Sequence, residues 1–169
     1  KRQTFTFTDA ESTREIPPPS YVALMGGAGV LNITDYEAAW IPKGSWTLVE
    51  VRWMGCDVKP GEVELQVKGP QSFTLSCLVY DLRVEVHDVL GLPVDGAEVR
   101  VKVANGSTLT ASTVGGSAVF TLIPGGPYEV EATYLWQRAS AKGHTSTSTL
   151  VELRVAASAT LLAVSYTHL

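Results

Sequence analysis

The chain carries little charge and few groups that do chemistry. Charged residues are 18% of 169 positions, below the roughly 25% usual in globular domains. The 13 Lys and Arg stand against 17 Asp and Glu, for a net charge of -4. Without a basic surplus there is no electrostatic footprint for nucleic acid or an acidic membrane surface. Three scattered histidines (His87, His144, His168) and two cysteines (Cys56, Cys77) argue against a zinc site. No Ser or Cys has a base at motif spacing, so no nucleophile is expected and the chain reads as no enzyme. Gly26-Gly27-Ala28-Gly29 does not sit between a strand and a helix and reads as a turn. Asp35, Asp57, Asp88 and Asp95 lack the dense spacing of a calcium loop. No cofactor or metal is expected. No apolar run approaches the roughly 18 residues that span a bilayer, and no leader or Met precedes Lys1. The expectation is a secreted, cell-surface chain whose signal peptide has already been removed.

What the chain has is alternation. TFTFT (4–8), WTLVEVRW (46–53), LRVEVH (82–87), AEVRVKV (97–103), YEVEATY (128–134) and VELRV (151–155) all repeat with period two, which puts apolar side chains on one face of a strand. PKG, KPGE, GLPVDG, VGG and PGGP separate them with turn chemistry. Helical spacing is nowhere sustained. The fold class is therefore all-β, a β-sandwich.

The segments also repeat as a set. Ile41-Pro42-Lys43-Gly44 before WTLVEVRW resembles Ile123-Pro124-Gly125-Gly126 before YEVEATYLW, and VELQV (63–67) resembles VELRV (151–155). TFTFTD parallels VEVHD, with Asp9 against Asp88, Phe5 against Val84 and Phe7 against Val86. Two tandem sandwich domains follow, 1–80 and 81–169, joined without a linker by a continuous extended segment, LSCLVYDLRVEVHD. Under this alignment the last segment, TLLAVSYTHL, matches LSCLVYDL but has no VEVHD-type strand after it. The N-terminal segment 1–9 is the one spare copy. Thr4, Phe5, Thr6, Phe7 and Thr8 are thus a candidate interchain donor strand, and Leu162, Val164, Tyr166 and Leu169 the acceptor end strand. Burying the two phenylalanine rings in a neighbour would contribute on the order of 3 to 6 kcal/mol before ordering costs. Such strand addition is head to tail and propagates as an open filament. The expected partner is another copy of the chain. The alternative is that TFTFT pairs within its own domain.

The second half carries a pattern, VxDxxGxPVxGAxVxV, in Val86 to Val101, continued by TVGGSAVFTLIPGGPYEVEA (113–132). It resembles the carboxypeptidase regulatory-like or transthyretin-like fold among Ig-like and Cna-B-like surface domains. The first half matches it faintly, with IPPPS where the second has LPVDG. The resemblance implies tandem extracellular modules. Two-domain subunits of this kind joined by donated strands resemble archaeal surface threads and bundling pili. The expected function is a structural subunit of an extracellular filament; an adhesin or a carbohydrate- or protein-binding Ig-like module is the alternative.

Three further features bear on the surface. Cys56 and Cys77 lie 21 positions apart on two segments read as strands. A disulfide is expected, worth about 3 kcal/mol on the loop-entropy account; two free thiols are the alternative. Asn32-Ile33-Thr34 and Asn105-Gly106-Ser107 are glycosylation sequons, so surface glycans enter as possible partners, although Asn-Gly is also a hairpin turn. Trp40, Trp46, Trp53 and Trp136 could build a sugar platform, with core packing expected for most.

Overall fold

A computed structural model describes residues 2–11 and 14–156. The chain divides into two compact units, Lys1–Val79 and Tyr80–Leu169. The described residues are all β, with no helix. The first unit contains β1 (Arg2–Thr8), β2 (Glu15–Ile16), β3 (Tyr21–Gly26), β4 (Gly29–Ile33), β5 (Ala39–Trp40), β6 (Gly44–Trp53), β7 (Cys56–Asp57), β8 (Glu64–Val67) and β9 (Gln71–Ser76). One sheet runs β2-β1-β5 with β9 along the other side of β1; the second runs β4-β3-β6-β7 with β8 on β6.

The second unit contains β10 (Val79–His87), β11 (Glu98–Lys102), β12 (Thr108–Ser112), β13 (Ser117–Pro124), β14 (Gly126–Tyr134), β15 (Gln137–Thr145) and β16 (Thr149–Arg154). Its sheets are β13-β10-β16 and β12-β11-β14-β15. Between them lie Leu82, Val84, Val86, Val99, Val101, Ile123 and Val130, each almost wholly removed from water. Period-two alternation produces this directly, because every second side chain of an extended strand points inward. β11 shows it plainly: Val99 and Val101 are buried between exposed Glu98, Arg100 and Lys102.

The same frame is built twice. β1 runs parallel to β9, pairing Gln3 with Gln71 through to Thr8 with Ser76. β10 runs parallel to β16, pairing Leu82 with Thr149 through to His87 with Arg154. Phe5 and Phe7 therefore occupy the places of Val84 and Val86. Gly44 and Gly126, at φ 138° and 130°, open β6 and β14 in the same left-handed conformation, which glycine adopts at little steric cost. Between Ala23 and Leu24 the register of β3 against β6 slips by one residue, at Val49. This bulge explains why β6 is one residue longer than β14.

One sequence reading is corrected here. VELRV is the counterpart of Gln71–Ser76, the strand beside β1, and not of VELQV, which pairs with β6. The second unit also contains its own first strand, β10, lying between β13 and β16. The acceptor segment inferred from the alignment, Leu162 to Leu169, lies outside the described residues. The segment TFTFT is equally at home, since β1 sits between β9 on one side and β2 and β5 on the other.

Phe7 is 2% exposed in the core of its own unit. Phe7→Ala should therefore lower the stability of the first unit by about 3 to 5 kcal/mol, read as a fall in its urea midpoint. A ring waiting in solvent for a neighbour would give a change near zero.

Candidate assembly interface

β1 is the first candidate, and local contacts hold it in place. Phe5 donates its N–H to the Tyr36 carbonyl at 2.7 Å, and its ring stacks on Phe73 with centroids 5.5 Å apart. Phe7 meets Tyr36 edge-on at 5.1 Å. Gln3, also buried, donates from Nε2 to the Gly69 carbonyl at 2.9 Å and accepts the Gln71 N–H at 3.1 Å. Thr4 faces outward and donates its hydroxyl to the Glu37 carbonyl at 3.2 Å, while Thr6 is half-buried. Burial raises the Tyr36 phenol above its ordinary value; its hydroxyl donates to the Pro19 carbonyl at 3.1 Å.

Where β1 and β10 end, each unit repeats one device. The Thr8 carbonyl accepts the Cys77 N–H at 2.8 Å, and the His87 carbonyl accepts the Val155 N–H at 2.9 Å. The next residue is in both cases a buried aspartate, Asp9 or Asp88. Asp9 accepts the Arg14 N–H at 3.2 Å and lies 3.6 Å from the Arg14 guanidinium. Asp88 accepts the N–H groups of Leu90 and Leu92 at 2.9 and 3.0 Å. These carboxylates fold the loop that follows the strand, as Asx turns do. They are structural groups rather than reactive ones.

The expected disulfide is corrected: both cysteines are free. Cys77 is fully buried, its Sγ 3.9 Å from the Leu75 carbonyl, whereas Cys56 opens β7 opposite Trp53 and is half-buried. One thiol thus belongs to the core and the other to the tip of a hairpin. Burial pushes the Cys77 thiol up to about 11.

The remaining predicted residues fall in separate places. Asn32 is exposed on β4, where its Oδ1 accepts the Tyr21 hydroxyl at 2.7 Å. Asn105 is exposed in the β11–β12 turn, where its Oδ1 accepts the Ser107 N–H at 2.9 Å. Leu162, Val164, Tyr166 and Leu169 lie outside the described residues, as does His168. Trp46 is buried, with its indole N–H donating to the Pro42 carbonyl at 2.9 Å. Trp53 is half-buried, while Trp40 and Trp136 stand out in solvent. The outer face of the β11-β14-β15 sheet is a shallow charged surface of Arg100, Lys102, Glu129, Glu131 and Lys142, in which Lys142 meets Glu129 at 3.1 Å. Among the described residues no group of three His, Cys, Asp or Glu could hold a metal ion.

Strand alternation does not single out the apolar residues of the turns, notably Leu90, Val114 and Leu135, all exposed. Their signal was available: VLGL, TVGG and YLWQ place large apolar residues inside segments otherwise marked as turns.

The described residues define an all-β protein of two sandwich units. No protein-family model matches the chain, and no curated protein matches it in sequence. Solved structures align over most of its length at low identity. The Bacillus anthracis TIE protein aligns at 17% identity over 92% of this chain and 33% of its own, with a TM-score of 0.41. GBS52, the minor pilin of Streptococcus agalactiae, aligns at 11% over 91% and 96%, with a TM-score of 0.42. BcpA, the major pilin subunit of Bacillus cereus, aligns at 16% over 86% and 53%, also at 0.42. The chain thus spans a third of the length of the TIE protein and about half that of BcpA.

The two thiols should be told apart by alkylation. At pH 8 the folded protein should lose Cys56 to iodoacetamide and keep Cys77 until denaturant is added, as read by peptide mass. The Cys77 thiol is raised from 9.0 to about 11 on folding, so the neutral thiol is favoured by the folded state. Its contribution to stability is complete below pH 9 and is lost as pH rises toward 11. Urea midpoints taken across that range should fall more steeply for the native chain than for Cys77→Ala.

Proposed function

We propose that the chain is a non-enzymatic structural subunit of an extracellular, cell-surface filament that assembles head to tail. One observation carries this reading. In each unit the first strand and the last described strand are parallel neighbours, β1 with β9 and β10 with β16. A chain that enters a unit along its first strand must then leave at the opposite end. Had the two strands been antiparallel, entry and exit would share one end and the unit would hang as a side branch.

The parallel ladder also suits a filament mechanically. Tension on the two ends of a unit acts along β1 and β9 in opposite senses, so the hydrogen bonds between them are loaded together in shear.

Assembly by donation of Thr4–Thr8 is a finer reading of the same function. Because β1 lies in its own sheet with Phe5 and Phe7 buried, donation would have to be an exchange of strands between copies. End-on docking of whole units requires no such opening and is the reading preferred here.

Sedimentation and negative-stain electron microscopy test the proposal. The purified chain at rising concentration should form unbranched linear particles whose length grows in steps of one chain. Monodisperse single chains across the whole range would overturn it.

A further inference from the structure

The margins of the two sheets of the first unit meet at a cleft. β4 ends one sheet and β5 the other, and the loop 34–38 carries the chain from β4 to β5. Between them is a cleft of about 240 Å³ lined by Asn32, Thr34, Asp35 and Trp40, together with the buried Ile33 and Ile41. That is less than the roughly 300 Å³ at which pockets for drug-sized ligands begin, so the cleft has room for one small ring.

Trp40 supplies an uncovered aromatic face. It is 71% exposed, although it pairs in β5 with Arg2. Among the described residues no ring or cation stacks on its indole. The face of an indole is electron-rich, and so it attracts the weakly positive hydrogens of a C–H surface.

The polar groups beside it are fixed at one atom and open at the other. Asp35 Oδ1 accepts the N–H groups of Glu37 and Ala38, both at 3.0 Å. This pins the carboxylate to the loop, while Oδ2 has no hydrogen-bond partner among the described residues. Asn32 Oδ1 accepts the Tyr21 hydroxyl at 2.7 Å, and the Tyr21 ring is itself covered by the Arg52 guanidinium at 5.1 Å. The amide is thereby oriented with Nδ2 left as a donor. Thr34 is exposed and adds a hydroxyl. Groups held in place before a ligand arrives lose little freedom when it binds.

The lining also selects among ligands. It includes one carboxylate and no cation, which disfavours phosphates, sulfates and acidic sugars. A wholly apolar ligand would cover Asp35 Oδ2 and Asn32 Nδ2 without pairing them, which is costly. One indole without a second ring is not the aromatic cage that holds a quaternary ammonium. A neutral ring with C–H groups on one face and hydroxyls on its rim meets every condition. We propose that this cleft binds one neutral hexopyranose residue, its C–H face on Trp40, with hydroxyls donating to Asp35 Oδ2 and accepting from Asn32 Nδ2. Asn32 then serves recognition and carries no glycan itself. The site lies within the first unit and operates whether or not the chain assembles.

Saturation-transfer NMR tests this on the full chain produced in a host without N-glycosylation. The probes are the methyl glycosides of glucose, galactose, mannose and N-acetylglucosamine. At least one should receive saturation, mostly at its ring C–H protons, and should change the indole fluorescence. Trp40→Ala should weaken that binding at least about tenfold, as loss of an aromatic anchor does. Asp35→Asn still accepts the Glu37 and Ala38 N–H groups but places a donor where Oδ2 accepted, and should weaken binding by about the same factor. Trp136→Ala removes a side chain that is 74% exposed on the second unit and should change nothing. Circular dichroism with thermal melting checks that all three variants fold. Silence with all four glycosides overturns the inference. An equal loss in Trp136→Ala also overturns it, since the rings would then be stacking without selection. Trp40-dependent binding of choline, with no glycoside bound, would assign the cleft to a cation and overturn the inference too.

Discussion

Everything described in this molecule is organised by a parallel ladder between the first and the last described strand of each unit. Parallel neighbours cannot be joined by a tight turn, so the other described strands of each unit lie between them in sequence. Most of the intervening strands form the opposing sheet, while β2 and β5 pair with β1 and β13 pairs with β10, and the core is what the two sheets enclose. Because the two point the same way, the loop after the first strand begins beside the end of the last described one.

Polar groups fit this frame without residue. Each unit places an aspartate, Asp9 or Asp88, immediately after its first strand, buried and accepting loop N–H groups. Thr113 performs a similar task inside the second unit, donating to the Val94 carbonyl at 2.6 Å and accepting the Ala97 N–H at 3.0 Å. Among the described residues no buried side-chain nitrogen or oxygen lacks a partner. An unsatisfied buried group would cost about 1 to 3 kcal/mol, so these contacts are conditions of the fold. The titratable groups that are buried serve structure: Asp9, Asp88 and Cys77 are held by neighbours that fix loops and strand ends.

The all-β architecture was legible because alternation is a local property of the chain, and so was the shared register of Asp9 with Asp88. The error came from the end strands. VELQV and VELRV look alike as strings, yet one pairs with β6 and the other with β10. Any amphipathic strand of that length has such a pattern, so likeness between strings says nothing about the partner. The expected disulfide failed for a related reason: spacing along the chain gives loop length, whereas bonding depends on where two strands point their thiols.

By itself, the sequence determined which side chains face inward, where the chain turns and that one unit is written twice, since periodicity, glycine and proline act over a few residues. Tertiary structure alone decided that TFTFT pairs with Gln71–Ser76 of its own unit and that Cys56 and Cys77 remain thiols. Those outcomes depend on contacts between residues tens of positions apart. Such contacts are settled by the competition of whole sheets for partners, which no short stretch of the chain encodes.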